Sequence, residues 1–335
     1  MITPKFSLII CTYMRANPLL DLLYSVKNQT LHPDEILIID GSTNDETAVI
    51  IKKNAFKNLK YFKVNNEQRG LTKQRNFGIK EVTSTIDIVC FLDDDTLLEK
   101  DYFFNLIQTY KIYPEALGVG GFITNETVWE KESKTLEKKL NKFYFDGYSR
   151  QEPTRFKIRK LFKLDSNVAP GFIPSFSHGR SVGFLPPTGK VYPVQQFMGG
   201  VSSFKNNVFK THKFSEYFDG YGLYEDADFT SRLSKIGNLY LNTNAKLGHY
   251  HNDSGRPNKY NYGKMIVRNG WYVWRVYNKN PKYHDRLKWN IISWILITIR
   301  ISNIFTTSNK IEALSESLGR VSGMISLLFS RPKIK

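Results

Sequence analysis

Between Phe6 and Lys111, four short apolar, β-branched runs at 6–10, 35–39, 60–64 and 86–92 alternate with stretches of helical period. That alternation restricts the fold most, because it builds strand, crossover helix and parallel strand in succession. The expected fold class is α/β, Rossmann-like, with a mainly parallel sheet flanked by helices. Asn17-Pro18 supplies an N-cap and a proline at the first helical position, ahead of Leu19, Leu20, Leu22, Leu23 and Val26 at helical spacing. Further helices are expected near Asn44–Asn54, Leu71–Lys80 and Lys100–Lys111.

In an open parallel sheet, ligands bind beyond the carboxyl ends of the strands. The residues that follow the runs are Cys11-Thr12-Tyr13-Met14-Arg15, Asp40-Gly41-Ser42 and Asp93-Asp94-Asp95. Three consecutive carboxylates repel one another unless a cation sits among them, so a divalent ion carrying a diphosphate is expected there. Asp40-Gly41-Ser42 reads either as a solvated turn or as a carboxylate for a nucleotide's ribose hydroxyls or base edge. Gly70 opens a helix with Arg69, Lys73 and Arg75 close by, which suits phosphate or, equally, a charged exposed face.

Downstream, Gly199-Gly200 marks either a tight turn or a close approach of ligand to backbone. Glu225, Asp228 and Arg232 fall on one helical side, with Asp226 pointing elsewhere. His249 and His251 end a strand-like stretch that starts at Asn238–Asn242. The section 122–196 is harder to read. It holds a charged, helix-like piece (Trp129–Lys142), a basic run (Arg155–Lys163) and a glycine- and proline-rich loop (Ala169–Pro193) with His178 and Arg180. Such a long connection reads as acceptor recognition or as a surface insertion.

Ser7-Leu8-Ile9-Ile10-Cys11-Thr12-Tyr13, Ile38-Ile39-Asp40-Gly41-Ser42, Gly70-Leu71-Thr72-Lys73-Gln74-Arg75-Asn76, Asp93-Asp94-Asp95 and Glu225-Asp226-Ala227-Asp228 with Arg232 resemble, in order and approximate spacing, the signatures of family 2 glycosyltransferases. The resemblance implies a GT-A-type nucleotide-sugar domain and inverting transfer from a nucleoside-diphosphate sugar to a glycan or lipid-linked glycan. It implies Asp226 as general base, Asp93 and Asp95 as ligands of Mn²⁺ or Mg²⁺ with His249, or alternatively His251, and imidazole suits Mn²⁺ better. Thr12, Tyr13, Arg15, Asp40, Gly70, Lys73, Arg75, Asp93 and Asp94 would serve the donor; Gly199, Gly200, Glu225 and Arg232 would serve the acceptor. Gln74 and Met14 depart from the family's usual small residues.

The formal charge is +17, and residues 256–335 hold fifteen Lys and Arg against three acids. Tyr262, Trp271, Tyr272, Trp274, Tyr277 and Trp289 interleave with those basic residues, a mixture that suits an anionic membrane surface or a helical subdomain. The run Trp289–Phe305 contains Arg300 and is short for a span, so it would lie on a bilayer rather than cross it. Cys11 and Cys90 show no disulfide framework, and Phe6–Ile10 is too short for a signal peptide, which points to a cytoplasmic protein peripheral at the inner face of the cell membrane. The expected domains are a catalytic domain at 1–255, with a nucleotide-binding half at 1–111 and an acceptor and catalytic half at 197–255, and a mostly helical extension at 256–335. A sugar nucleotidyltransferase would need a glycine-rich, arginine-bearing loop after the first strand, which is missing. A basic scaffold binding nucleic acid is disfavoured because ordered carboxylates repel a polyanion.

Overall fold

The computed structural model describes residues 3–132, 139–251 and 257–334. The chain opens with β1 (Phe6–Thr12), α1 (Ala16–Lys27), β2 (Glu35–Asp40), α2 (Glu46–Lys53), β3 (Leu59–Lys63), α3 (Leu71–Glu81) and β4 (Ile88–Asp93). Then come β5 (Thr96–Leu98), α4 (Tyr102–Ile112) and β6 (Ala116–Ile123). Three short strands, β7 (Glu130–Lys131), β8 (Lys142–Phe145) and β9 (Tyr148–Gln151), precede α5 (Thr154–Leu161). Next are β10 (Val191–Val194), β11 (Val201–Lys205), α6 (Glu225–Leu233) and β12 (Asn238–His249), and last α7 (Lys259–Tyr277), α8 (Tyr283–Ser302) and α9 (Lys310–Phe329).

By compactness the chain divides into two units, Met1–Val128 with Val182–Gly255, and Trp129–Ser181 with Arg256–Lys335. The first holds a nine-stranded sheet in the order β10-β12-β6-β11-β4-β1-β2-β3, with β5 paired to β12. Parallel pairing joins β4, β1, β2 and β3, and β6 with β12, whereas β11, β10 and β5 run against their neighbours. Residues 6–10 of β1 and all of β2 are buried, as expected of strands covered on both faces. Leu19, Leu22, Leu23 and Val26 of α1 and Phe103, Leu106 and Ile107 of α4 pack on one side of this sheet's core. β6 carries three glycines because neighbours leave no room for side chains. A Cβ on Gly118 would lie 2.7 Å from Phe204, on Gly120 2.8 Å from Phe197 and on Gly121 2.6 Å from Tyr102.

The second unit joins the short β7-β9-β8 sheet and α5 to α7, α8 and α9. The expected helix at Trp129–Lys142 is corrected: its described ends lie in or beside the antiparallel strands β7 and β8, while 133–138 fall outside the described residues. The basic run at 155–163 is largely the helix α5. By compactness, residues 129–181 group with the C-terminal helices rather than with the sheet. Ser175 shows how: its carbonyl accepts from Trp274 Nε1 and Asn278 Nδ2, both at 2.8 Å, and its hydroxyl reaches Asp285 at 3.0 Å. The helices close over Val267, Trp271, Trp274, Trp289, Ile297, Met324 and Leu327. Trp271, Tyr272, Trp274 and Trp289, for which the sequence left open a membrane surface or a helical subdomain, are therefore core residues.

Candidate active site at the carboxyl ends of the strands

Register brings the strand ends level: Thr12 stands opposite Asp40, and Cys11 opposite Asp93. Thr12 Oγ1 donates to Asp94 Oδ2 at 2.6 Å, and Arg15 Nη1 approaches Asp94 Oδ1 at 3.1 Å and Asp95 Oδ2 at 3.2 Å. Burial pushes the Asp94 carboxyl up to about 7, against the opposing pull of Arg15 and Thr12. Asp94 is thus the internal anchor of the acidic loop, and Thr12 and Arg15, expected at the donor, are engaged with that loop. Asp40 is fully buried; Ser42 N donates to it at 2.7 Å and the Tyr61 hydroxyl at 2.8 Å. Each of its two oxygens therefore has a partner within the protein, one in the turn after β2 and one on β3.

The pairing of β5 with β12 sets His249 opposite Thr96 and so beside the acidic loop. His249 Nε2 lies 3.1 Å from Asp95 Oδ1. Asp95, His249 and His251 each offer a ligand atom within 4.8 Å of the others, a set able to hold a metal ion. Two imidazoles and a carboxylate are donors suited to a divalent metal ion. Glu126, which follows β6, lies against both imidazoles: its Oε1 is 3.0 Å from His249 Nδ1 and 3.2 Å from His251 Nε2. Burial opposes charge on His249, but Asp95 and Glu126 outweigh it and raise the imidazole to about 10. Asp93 is not in this group. Asp94 and Asp95 share Arg15, whereas Asp93 Oδ1 lies 3.4 Å from Arg75 Nη2 instead.

Arg75, in α3, is buried over the rings of Phe91 and Phe214 and bonds Glu225 at the start of α6. Burial raises the Glu225 carboxyl to about 8, opposed by Arg75 and reinforced by Asp226. Asp226 is half-buried; Gly199 N donates to its Oδ2 at 3.1 Å and Ala227 N to its Oδ1 at 2.7 Å. Burial raises its pKa, while these two backbone donors pull the other way. Side chains are barred from the floor of this cluster. A Cβ on Gly199 would collide with Glu225 and Arg75, and one on Gly200 with the Asp93 carboxylate.

Other expected residues have structural partners. Gly70, at φ +117°, faces Asp219 and Gly220, and Lys73 pairs with Asp219 at 3.3 Å. Arg232 pairs with Asp228 at 2.8 Å and donates to the Lys213 carbonyl, as a helix (i, i+4) pair does. Tyr13 remains exposed beyond β1, with the Arg69 guanidinium 5.8 Å from its ring centre. Sequence reasoning missed Glu126, which has no motif around it. It also gave no role to Gln74, whose Nε2 donates to the Thr12 and Ile39 carbonyls at 3.1 and 2.7 Å.

Carboxylates and imidazoles collect beyond the carboxyl ends of parallel strands, where open α/β sheets bind their ligands. Residues 7–177, just over half of the chain, match the model for glycosyl transferase family 2, and the chain belongs to that family. It is 30% identical over 132 residues to the glucosyl-dolichyl phosphate glucuronosyltransferase of Haloferax volcanii, covering 38% of this chain and 41% of that protein. The O-antigen chain rhamnosyltransferase of Salmonella typhimurium is 30% identical over 107 residues, 32% of this chain and 33% of that one. A glucosyltransferase of Campylobacter jejuni named for GalNAc(5)-diNAcBac-PP-undecaprenol is 31% identical over 108 residues, 31% of this chain and 34% of that one. The matched stretches span less than half the length of these relatives. Among solved structures, GalNAc-T7 with UDP, GalNAc and Mn²⁺ matches with a TM-score of 0.49 and 13% identity, over 79% of this chain and 48% of that one.

Proposed function

We propose that this chain transfers a sugar, with inversion at the anomeric carbon, from a nucleoside-diphosphate donor to a hydroxyl of a glycan or lipid-linked glycan. The observation that carries the reading is Asp226, a carboxylate held by two backbone N–H groups beside Gly199, where an added Cβ would collide with Glu225 and Arg75. The acceptor oxygen forms its bond to the anomeric carbon as the bond to the diphosphate breaks, and Asp226 takes the hydroxyl proton. Burial makes it a stronger base than a solvated aspartate. Asp95, His249 and His251 would hold the divalent ion, Mn²⁺ or Mg²⁺, which when bound offsets charge on the leaving diphosphate. Asp93 and Tyr13 would meet the nucleoside, and Arg75 keeps Glu225 and Asp93 in place.

Two of the relatives' names mention dolichyl phosphate or PP-undecaprenol, which supports a lipid-linked acceptor; assembly of a bacterial envelope polysaccharide at the cytoplasmic face of the membrane is proposed with it. A nucleotide-sugar panel with Mn²⁺ tests the enzyme reading through release of nucleoside diphosphate; no response to any donor would overturn it. Asp226→Asn is expected to keep donor affinity while lowering transfer by roughly 10² to 10⁴. Unchanged turnover would remove Asp226 from the chemistry.

A further inference from the structure

We propose that the outward faces of α8 and α9 form a surface that docks on an anionic lipid bilayer. Leu287, Ile291, Trp294 and Ile301 are exposed along one side of α8, with Trp294 at 46%. On α9 the exposed set is Ile311, Leu314, Leu318 and Ile325, again at helical spacing. A helix face turned to water ordinarily carries charge, and neither stripe contains any. These are not residues waiting for the protein's own core. The opposite sides already fill it, through Trp289, Ile292 and Ile297 on α8 and Ala313, Met324 and Leu327 on α9.

Aromatic side chains stand at the ends, Phe305 at 83% exposure and Phe329 at 86%. Exposed Lys282, Arg286, Lys310, Arg331 and Lys333 flank the stripes. Arg300, the one charge deep in α8, is paired with Glu316 at 2.8 Å and so does not bring a bare cation to the apolar surface. Fifteen basic residues against three acids in 256–335 select the occupant. A second copy of this surface would bring like charge against like charge, whereas an anionic leaflet attracts each basic residue by about fivefold in partition. No helix among the described residues is long and apolar enough to cross a membrane. The surface therefore lies in the interface plane, apolar stripes toward the acyl boundary and basic rim at the headgroups. This inference does not depend on the catalytic reading.

The test is co-sedimentation of the full chain with vesicles of phosphatidylcholine alone or mixed with phosphatidylglycerol. Partition is expected to be at least about tenfold stronger on the anionic vesicles, to weaken with salt, and to be accompanied by a blue shift of Trp294 emission. Ile291→Glu with Leu318→Glu should lose at least about tenfold, with circular dichroism and thermal unfolding unchanged because both positions face outward. Lys282→Glu with Lys333→Glu probes the charged rim without touching the apolar stripes and should also lose about tenfold or more. Wild-type partition by both variants, or equal binding to neutral and anionic vesicles, would overturn the proposal. So would a dimer, seen by sedimentation velocity, that the apolar variant dissolves while wild-type protein ignores vesicles.

Discussion

Asp226 and Glu126 carry the sharpest consequences at the residue scale. Burial raises the Asp226 pKa, so its base form is present above that raised value and lost as pH falls through it. Transfer measured against pH should therefore show an acid limb beginning above the ordinary aspartate range, and Asp226→Asn should lack that limb. Glu126 holds the His249 nitrogen that faces away from Asp95 and also touches His251 Nε2, and carboxylates that orient a ligating imidazole usually improve metal affinity by about 10- to 100-fold. Glu126→Gln is accordingly expected to weaken Mn²⁺ binding by about tenfold in calorimetry or electron paramagnetic resonance, with an unchanged fold by circular dichroism. Nothing around Glu126 in the sequence signals this, because its partners lie 123 and more residues away and meet it only through the strand pairing. Asp94 was legible as a carboxylate but not as an anchor, since only the fold shows that Thr12 and Arg15 close on it.

At the level of elements, β1 to β4 and α1 to α4 follow from apolar runs and helical periods, and the structure places them within a few residues of those expectations. β6 did not show itself, because Ala116–Ile123 holds three glycines, a composition ordinarily depleted in strands, and the reason is the aromatic rings pressed against it. β5 has three residues, too few to form a pattern, yet its pairing is what delivers His249. Gln74 links elements in the same hidden way. Gln74→Ala would leave the buried Thr12 and Ile39 carbonyls without that donor and should cost about 1–3 kcal/mol in denaturant unfolding. Gly200→Ala should be worse than a surface glycine change, because its Cβ would displace Asp93. The check is a fall in both thermal midpoint and donor affinity.

For the whole molecule, the charge asymmetry was plain in the sequence, but its structural use was not: four aromatic residues that seemed fit for a surface fill a helical core. Periodicity alone could not tell which side of α7 or α8 faced inward, since both sides of each helix carry aromatic or aliphatic residues. The α7–α9 crossing depends on glycines. A Cβ on Gly263 or Gly319 would meet the opposing backbone, so the two helices approach too closely for any side chain between them. The unit they complete is made of two stretches of chain, 129–181 and 256–335, with the last three strands of the large sheet between them. During synthesis the first stretch emerges long before its partners exist, and the Ser175 carbonyl must wait for Trp274 and Asn278. A chain stopped at residue 255 should therefore be cut rapidly within 129–181 by limited proteolysis while the full chain resists there. In this protein the order of translation and the order of folding run apart, and the segment between β6 and β10 is left unsheltered until the final helices arrive.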